Sequence, residues 1–208
     1  MRSRFKSWAK PYLSAHPEFV LSSLKDDSNF FAYPFLELEI GSGKGAFILK
    51  KAINHPSINY LALERDVSIS GILGKKIEES QLTNIRLICA DLDNIFVDLS
   101  EKKFQTIYLN FSDPWPKKKH AKRRLTFAKR LINIASLLQD GGYIYFKTDN
   151  DGLYEFTLEE ANKVPSIKII KKEDDYQTLD NDDEMTEYEE SFRKEGKSIH
   201  RIIFKKEL

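Results

Sequence analysis

The 208-residue sequence carries 33 Lys+Arg against 32 Asp+Glu, a formal net charge of +1, with 41% hydrophobic and 31% charged residues. This is the composition of a globular chain with enough length for one sizeable core or two small ones. A single cysteine, Cys89, excludes an internal disulfide framework and a cysteine-rich metal centre, and no apolar run approaches the roughly 18 residues of a membrane span.

The first eight residues lack the apolar core and cleavage site of a secretory signal, so a reducing, cytoplasmic setting is expected. The near-zero charge hides an asymmetry. Residues 1–130 hold 22 basic and 14 acidic side chains, a balance of +8, and residues 131–208 hold 11 and 18, a balance of −7. Lys117–Arg130 contains eight basic residues and no acid, while Glu173–Glu190 contains ten acids and no Lys or Arg. Partners respond to such local fields rather than to totals, so the neutral sum does not exclude nucleic acid.

In chain order, residues 1–30 form a basic N-terminal arm carrying Arg2, Arg4, Lys6, Trp8 and Lys10, either mobile or covering a sheet edge. Runs rich in β-branched and aromatic residues then predict strands at Leu36–Ile40, Asn59–Glu64, Ile85–Ala90, Thr106–Asn110, Tyr143–Thr148, Ile167–Lys171 and Ser198–Lys205. Helical patterns fall at about 45–54, 67–81, 126–138 and 151–163. This alternation predicts an α/β fold with right-handed crossovers, a seven-stranded, mostly parallel sheet and helices on both faces. Only the acidic stretch separates the last two strands, which are expected to form an antiparallel hairpin. No linker divides two cores, so the chain reads as a single domain, 1–208, with its catalytic core at 31–208.

Glu39-Ile-Gly41-Ser-Gly43-Lys-Gly45 lies where the first predicted strand turns into the first helix, and glycines there permit positive φ and close approach to a ligand. The loop also satisfies a relaxed dinucleotide fingerprint, so the neighbouring acids must decide. Glu39 beside a pyrophosphate would be repulsive, whereas beside an ammonium or sulfonium it is favourable. Glu64 ends the second strand, suited to ribose hydroxyls, and Asp91 ends the third, suited to an adenine amino group. Each could instead cap the helix that follows. Three acids in register with a glycine loop resemble the class I S-adenosylmethionine-dependent methyltransferases, which implies a Rossmann-like fold.

After the fourth strand comes Asn110-Phe-Ser-Asp113-Pro-Trp-Pro-Lys117-Lys-Lys-His120-Ala-Lys122-Arg123-Arg124. In an open α/β sheet such a loop faces the ligand crevice, and Pro114 and Pro116 restrict the directions of Asp113 and Trp115. A basic run beside an aromatic suits phosphate contacts and stacking. His120, without metal-ligating companions, suits phosphate or solvent rather than a metal, and no metal site is expected. Together with Lys147-Thr-Asp149 and Thr186-Glu-Tyr-Glu189, these strings resemble the tRNA (guanine-N7)-methyltransferase family over nearly the whole chain.

The resemblance implies S-adenosylmethionine as methyl donor, S-adenosylhomocysteine as product and tRNA as substrate, with a variable-loop guanine (position 46 in standard tRNA numbering) becoming 7-methylguanosine. It implies cofactor contacts from Glu39, Gly41, Gly43, Gly45, Glu64, Asp91 and Asp113, with Asp113 also the catalytic candidate. Lys117, Asp149, Thr186, Glu187, Tyr188 and Glu189 would contact the substrate, and Lys119, His120, Lys122, Arg123 and Arg124 the RNA backbone. Asp113 and Asp149, with Glu189 a further candidate, are suited to accept the guanine N1–H and N2–H donors. No obligate protein partner is expected, the chain acting as a monomer or homodimer. Two other readings stay open: an amino-group methyltransferase, from the likeness of Ser-Asp-Pro-Trp to Asn/Asp-Pro-Pro-Tyr loops, and a non-catalytic RNA-binding protein on the same fold. A nicotinamide dehydrogenase is disfavoured by Glu39.

Overall fold

A computed structural model describes residues 4–177 and 183–207. The chain divides into two compact units, Met1–Lys103 and Phe104–Leu208, each with four strands among the described residues. In the first unit, β1 (Val20–Leu21), β2 (Leu36–Ile40), β3 (Asn59–Glu64) and β4 (Ile85–Cys89) lie in the order β1-β4-β3-β2, all parallel. Every residue of β2 is buried, Glu37 and Glu39 included, as befits a parallel strand covered on both faces. Its helices are α1 (Ala9–Ser14), α2 (Ser28–Phe31), α3 (Ala46–Asn54), α4 (Val67–Ser80) and α5 (Leu92–Leu99). Asp66 caps α4 by accepting from the Ile69 N–H at 3.0 Å, and α4 ends on Gln81 in the left-handed region.

The N-terminal segment covers a sheet edge. Within it, α1 packs on α4 where Gly71 faces Ala9 so closely that a Cβ on Gly71 would lie 2.6 Å from the Ala9 Cβ. Further on, β1 pairs with β4 in register Val20↔Leu87 and Leu21↔Ile88. Two residues are too few for a period-2 pattern to register, so β1 makes eight strands among the described residues where seven were expected. Arg2, counted in the arm, lies outside the described residues.

In the second unit, β5 (Phe104–Asn110), β6 (Leu138–Thr148), β7 (Ile167–Glu173) and β8 (His200–Lys206) lie in the order β5-β6-β8-β7. Here β5 and β6 are parallel, while β8 is antiparallel to both β6 and β7. The predicted antiparallel pairing of the last two strands is therefore present, but with β8 on the inside and β7 on the outside. Exposed Lys168, Lys171 and Lys172 blunt that outer strand against further pairing. The helices are α6 (Ala128–Ser136), α7 (Asp151–Ala161) and α8 (Glu187–Lys194), with a 3-10 helix at Lys118–Arg123.

The connection between β7 and β8 was expected to lack a helix, and α8 corrects that. Thr186 caps it through its hydroxyl, which accepts from the Glu189 N–H at 2.9 Å. Acids fill its first turn, and Arg193 and Lys194 its last, as the helix dipole favours. Its apolar side is a single i, i+4 pair, Tyr188 and Phe192, too short a stripe among charged residues for the sequence pattern to register. Among the described residues, no helix is long and apolar enough to cross a membrane.

Candidate active site

In the first unit the parallel register brings the C-terminal ends of β2, β3 and β4 to one edge. There β2 opens into Gly41–Gly45, whose glycines have φ of +82°, +56° and +82°. The first two face open space, with nothing within 4 Å of where a Cβ would stand, while a Cβ on Gly45 would meet the Leu73 Cδ1 at 2.2 Å. The loop is anchored by the Gly41 and Ser42 N–H groups, which donate to the Leu63 carbonyl at 2.7 and 3.1 Å, and by the Ser42 hydroxyl, which donates to the Glu39 carbonyl.

Glu64 links this loop to the start of α4. One carboxylate oxygen accepts from the Gly43 N–H at 3.0 Å and the other from the Asp66 N–H at 2.8 Å. Each oxygen has a second lone pair, so the group retains capacity for a ligand hydroxyl. Asp91 does cap the helix after its strand: its Oδ1 accepts from the Asp93 N–H at 3.0 Å, and its Oδ2 lies 3.9 Å from Arg65. Capping thus accounts for Asp91 but not for Glu64, because α4 is capped by Asp66. Glu39 is buried in β2. Cys89 ends β4 half-buried, and burial pushes its thiol pKa up, away from thiolate chemistry.

In the second unit, β5 ends at Asn110 and the chain turns sharply. Phe111 and Trp115 both hold positive φ, 50° and 40°, a conformation that non-glycine residues rarely adopt. Between them Asp113 is exposed. The Phe111 N–H continues the sheet by donating to the Lys147 carbonyl at 2.8 Å. Trp115 meets the His120 ring edge-on at 5.8 Å, and the Arg123 guanidinium lies 4.9 Å from its ring. Lys117, Lys118, Lys119, Lys122 and Arg123 are exposed around the 3-10 helix, His120 half so. Arg124 differs from its neighbours, pointing inward: its Nε and Nη2 donate to the Pro114 and Trp115 carbonyls at 2.9 and 3.1 Å.

The segments carrying Asp149 and Thr186–Glu189 surround a buried charge cluster that sequence reasoning missed. The Lys147 ammonium, 1% exposed, donates to Asp183 at 3.0 Å, to Glu189 at 2.9 Å and to the Glu184 carbonyl at 3.0 Å. Glu189, fully buried, also pairs with Arg193 at 2.8 Å. The Tyr176 hydroxyl donates to Asp183 at 2.8 Å, and its ring lies 3.9 Å beneath the Arg201 guanidinium, which pairs in turn with Glu173. Lys147 stands 36 residues from Asp183 and 42 from Glu189, and Arg201 stands 28 from Glu173, so no local pattern announces those pairs. Glu173, Asp183 and Glu189 of the acidic stretch are therefore packed and paired, while Asp174, Asp175, Glu187 and Glu190 are exposed; Asp180 and Asp182 lie outside the described residues.

Within the expected substrate set, the exposed side chains are Lys117, Glu187 and Tyr188, and Asp149 is half-buried with Lys197 3.7 Å away. Thr186 uses its hydroxyl as a helix cap, and the Glu189 carboxylate faces two cations inside the fold rather than solvent.

A parallel sheet ending in a glycine loop and carboxylates, followed by antiparallel C-terminal strands, defines a class I methyltransferase fold. A family model described as "putative methyltransferase" matches residues 35–202. A solved "antibiotic related Methyltransferase" shares the fold at a TM-score of 0.64 and 18% identity, over 88% of this chain and 94% of that one. Within that class the sequence is more specific. It is 41% identical to a tRNA (guanine-N(7)-)-methyltransferase of Limosilactobacillus reuteri over 209 residues, 98% of each chain. A protein of the same name from Staphylococcus epidermidis is 38% identical over 206 residues, 97% of this chain and 96% of that one. The chain belongs to the tRNA (guanine-N7)-methyltransferase family.

Proposed function

We infer that the protein transfers a methyl group from S-adenosylmethionine to N7 of a guanine in the variable loop of tRNA. The observation that carries this reading is the segment 110–124: an exposed carboxylate braced by two prolines and followed at once by an exposed basic turn. Full-length similarity to proteins named for that reaction supports it.

The residues of the first unit fit the donor. Open space over Gly41 and Gly43 leaves room for a ligand against the backbone, and Glu39, Glu64 and Asp91 supply carboxylates for its ammonium, ribose and adenine groups. When bound, S-adenosylmethionine supplies an electrophilic methyl group. Guanine N7 is an unprotonated lone pair at neutral pH, so no general base is required. The ring becomes cationic as the methyl arrives, and Asp113 and Asp149 are suited to stabilise that charge and to accept the N1–H and N2–H donors. Adenine lacks this pair of donors, which favours guanine. Lys119, His120, Lys122 and Arg123 would hold the RNA phosphates. A cytoplasmic setting would suit such a substrate.

Incubation with methyl-labelled S-adenosylmethionine and unmodified tRNA, followed by nucleoside analysis, should yield label in 7-methylguanosine. Label in any other nucleoside, or none, overturns the assignment.

A further inference from the structure

Arg124 closes the basic run, yet it is half-buried and its guanidinium is turned back onto the loop that precedes the run. Nε and Nη2 reach the carbonyls of two consecutive residues, Pro114 and Trp115, and the guanidinium carbon lies 4.2 Å from the centre of the Phe156 ring on α7. The Arg124 N–H donates to the Ala121 carbonyl at 3.0 Å, fixing where the side chain starts. Pro114 and Pro116 have no N–H to donate, and Phe111 and Trp115 occupy a backbone region that persists only when the surroundings impose it. A planar fork with fixed N–H directions holds two adjacent carbonyls in one set geometry, whereas the three donors of a lysine ammonium rotate on a flexible stem.

We propose that Arg124 is a positioning residue that sets the conformation of the Asp113–Trp115 segment, and that it does not belong to the RNA-contacting set. The proposal rests on the reading of Asp113 as the group that faces the guanine. The two carbonyls occupy Nε and one N–H of Nη2 and fix the plane of the guanidinium, so a phosphate would find only its remaining N–H groups, whereas the side chains of Lys122 and Arg123 are exposed.

The test uses the full chain as Arg124→Met and Arg124→Lys, with steady-state kinetics on tRNA and tRNA binding across a salt series. Trp115 emission is followed in a Trp8→Phe background, which leaves Trp115 as the sole tryptophan. Arg124→Met should lower kcat at least tenfold and shift Trp115 emission, with the KM for tRNA and the salt slope within twofold of the parent. Arg124→Lys should fall between. Weaker tRNA binding with a shallower salt slope and unchanged kcat would make Arg124 a phosphate contact and overturn the proposal. So would parental kcat and emission in Arg124→Met or, if that variant does not fold, in Arg124→Lys. Parental turnover in Asp113→Asn would instead remove Asp113 from catalysis while leaving the emission result intact, so the two failures are distinguishable.

Discussion

Asp113 and Glu189 are both carboxylates on segments expected to touch the substrate, and their surroundings separate them. Asp113 is exposed on a loop held in a strained conformation, whereas Glu189 is buried between Lys147 and Arg193. A carboxylate with two cations at hydrogen-bond distance inside the fold stabilises α8 and its connection; removing one partner would leave an uncompensated buried charge. Asp113→Asn keeps the size of the side chain and removes the charge that would oppose the cationic guanine. Its kcat should fall about 100-fold, roughly 2.7 kcal/mol of transition-state stabilisation. S-adenosylmethionine affinity should stay within several-fold, because the other cofactor candidates are untouched. Methyl transfer from labelled donor and equilibrium binding measure the two quantities separately, and parental turnover would refute the role.

Elements are legible in the sequence in proportion to their periodicity. The pattern places strands β2 and β3 with the boundaries the structure has, and α3, α4, α6 and α7 within a few residues, because apolar side chains repeat along them. Short α1 and β1, and polar α8, escape it because their stability comes from what they pack against. So does α5, only eight residues long. The α1–α4 contact shows the dependence: Gly71 has no side chain because Ala9 occupies that space. Gly71→Ala would place a methyl 2.6 Å from the Ala9 Cβ and 3.0 Å from its Cα, a collision with backbone that rotamer change cannot relieve. Overpacking of this kind costs about 1–3 kcal/mol. The urea midpoint should drop accordingly, and an unchanged midpoint would mean that α1 is not held against α4.

Across the whole molecule, the +1 total resolves into charges with separate work. The exposed part of the basic run is the expected RNA footprint, and Glu173, Asp183 and Glu189 of the acidic stretch pair with Lys147, Arg193 and Arg201 inside the second unit. Replacing Lys119, Lys122 and Arg123 by Gln should therefore flatten the dependence of log K on log salt for tRNA binding, by roughly 0.7–0.9 for each phosphate that is no longer neutralised. An unchanged slope would move the footprint elsewhere.

By itself the sequence determined the α/β class, the glycine loop, the acids at the strand ends and the family, because each is written in residues close together along the chain. Only the tertiary structure decided that Arg124 faces inward, that Lys147 gathers Asp183 and Glu189, and that the N-terminal segment covers a sheet edge. The reason is physical. Backbone geometry and periodicity act over a few residues, whereas a buried charge takes whichever partners the fold brings within about 3 Å, however distant in sequence.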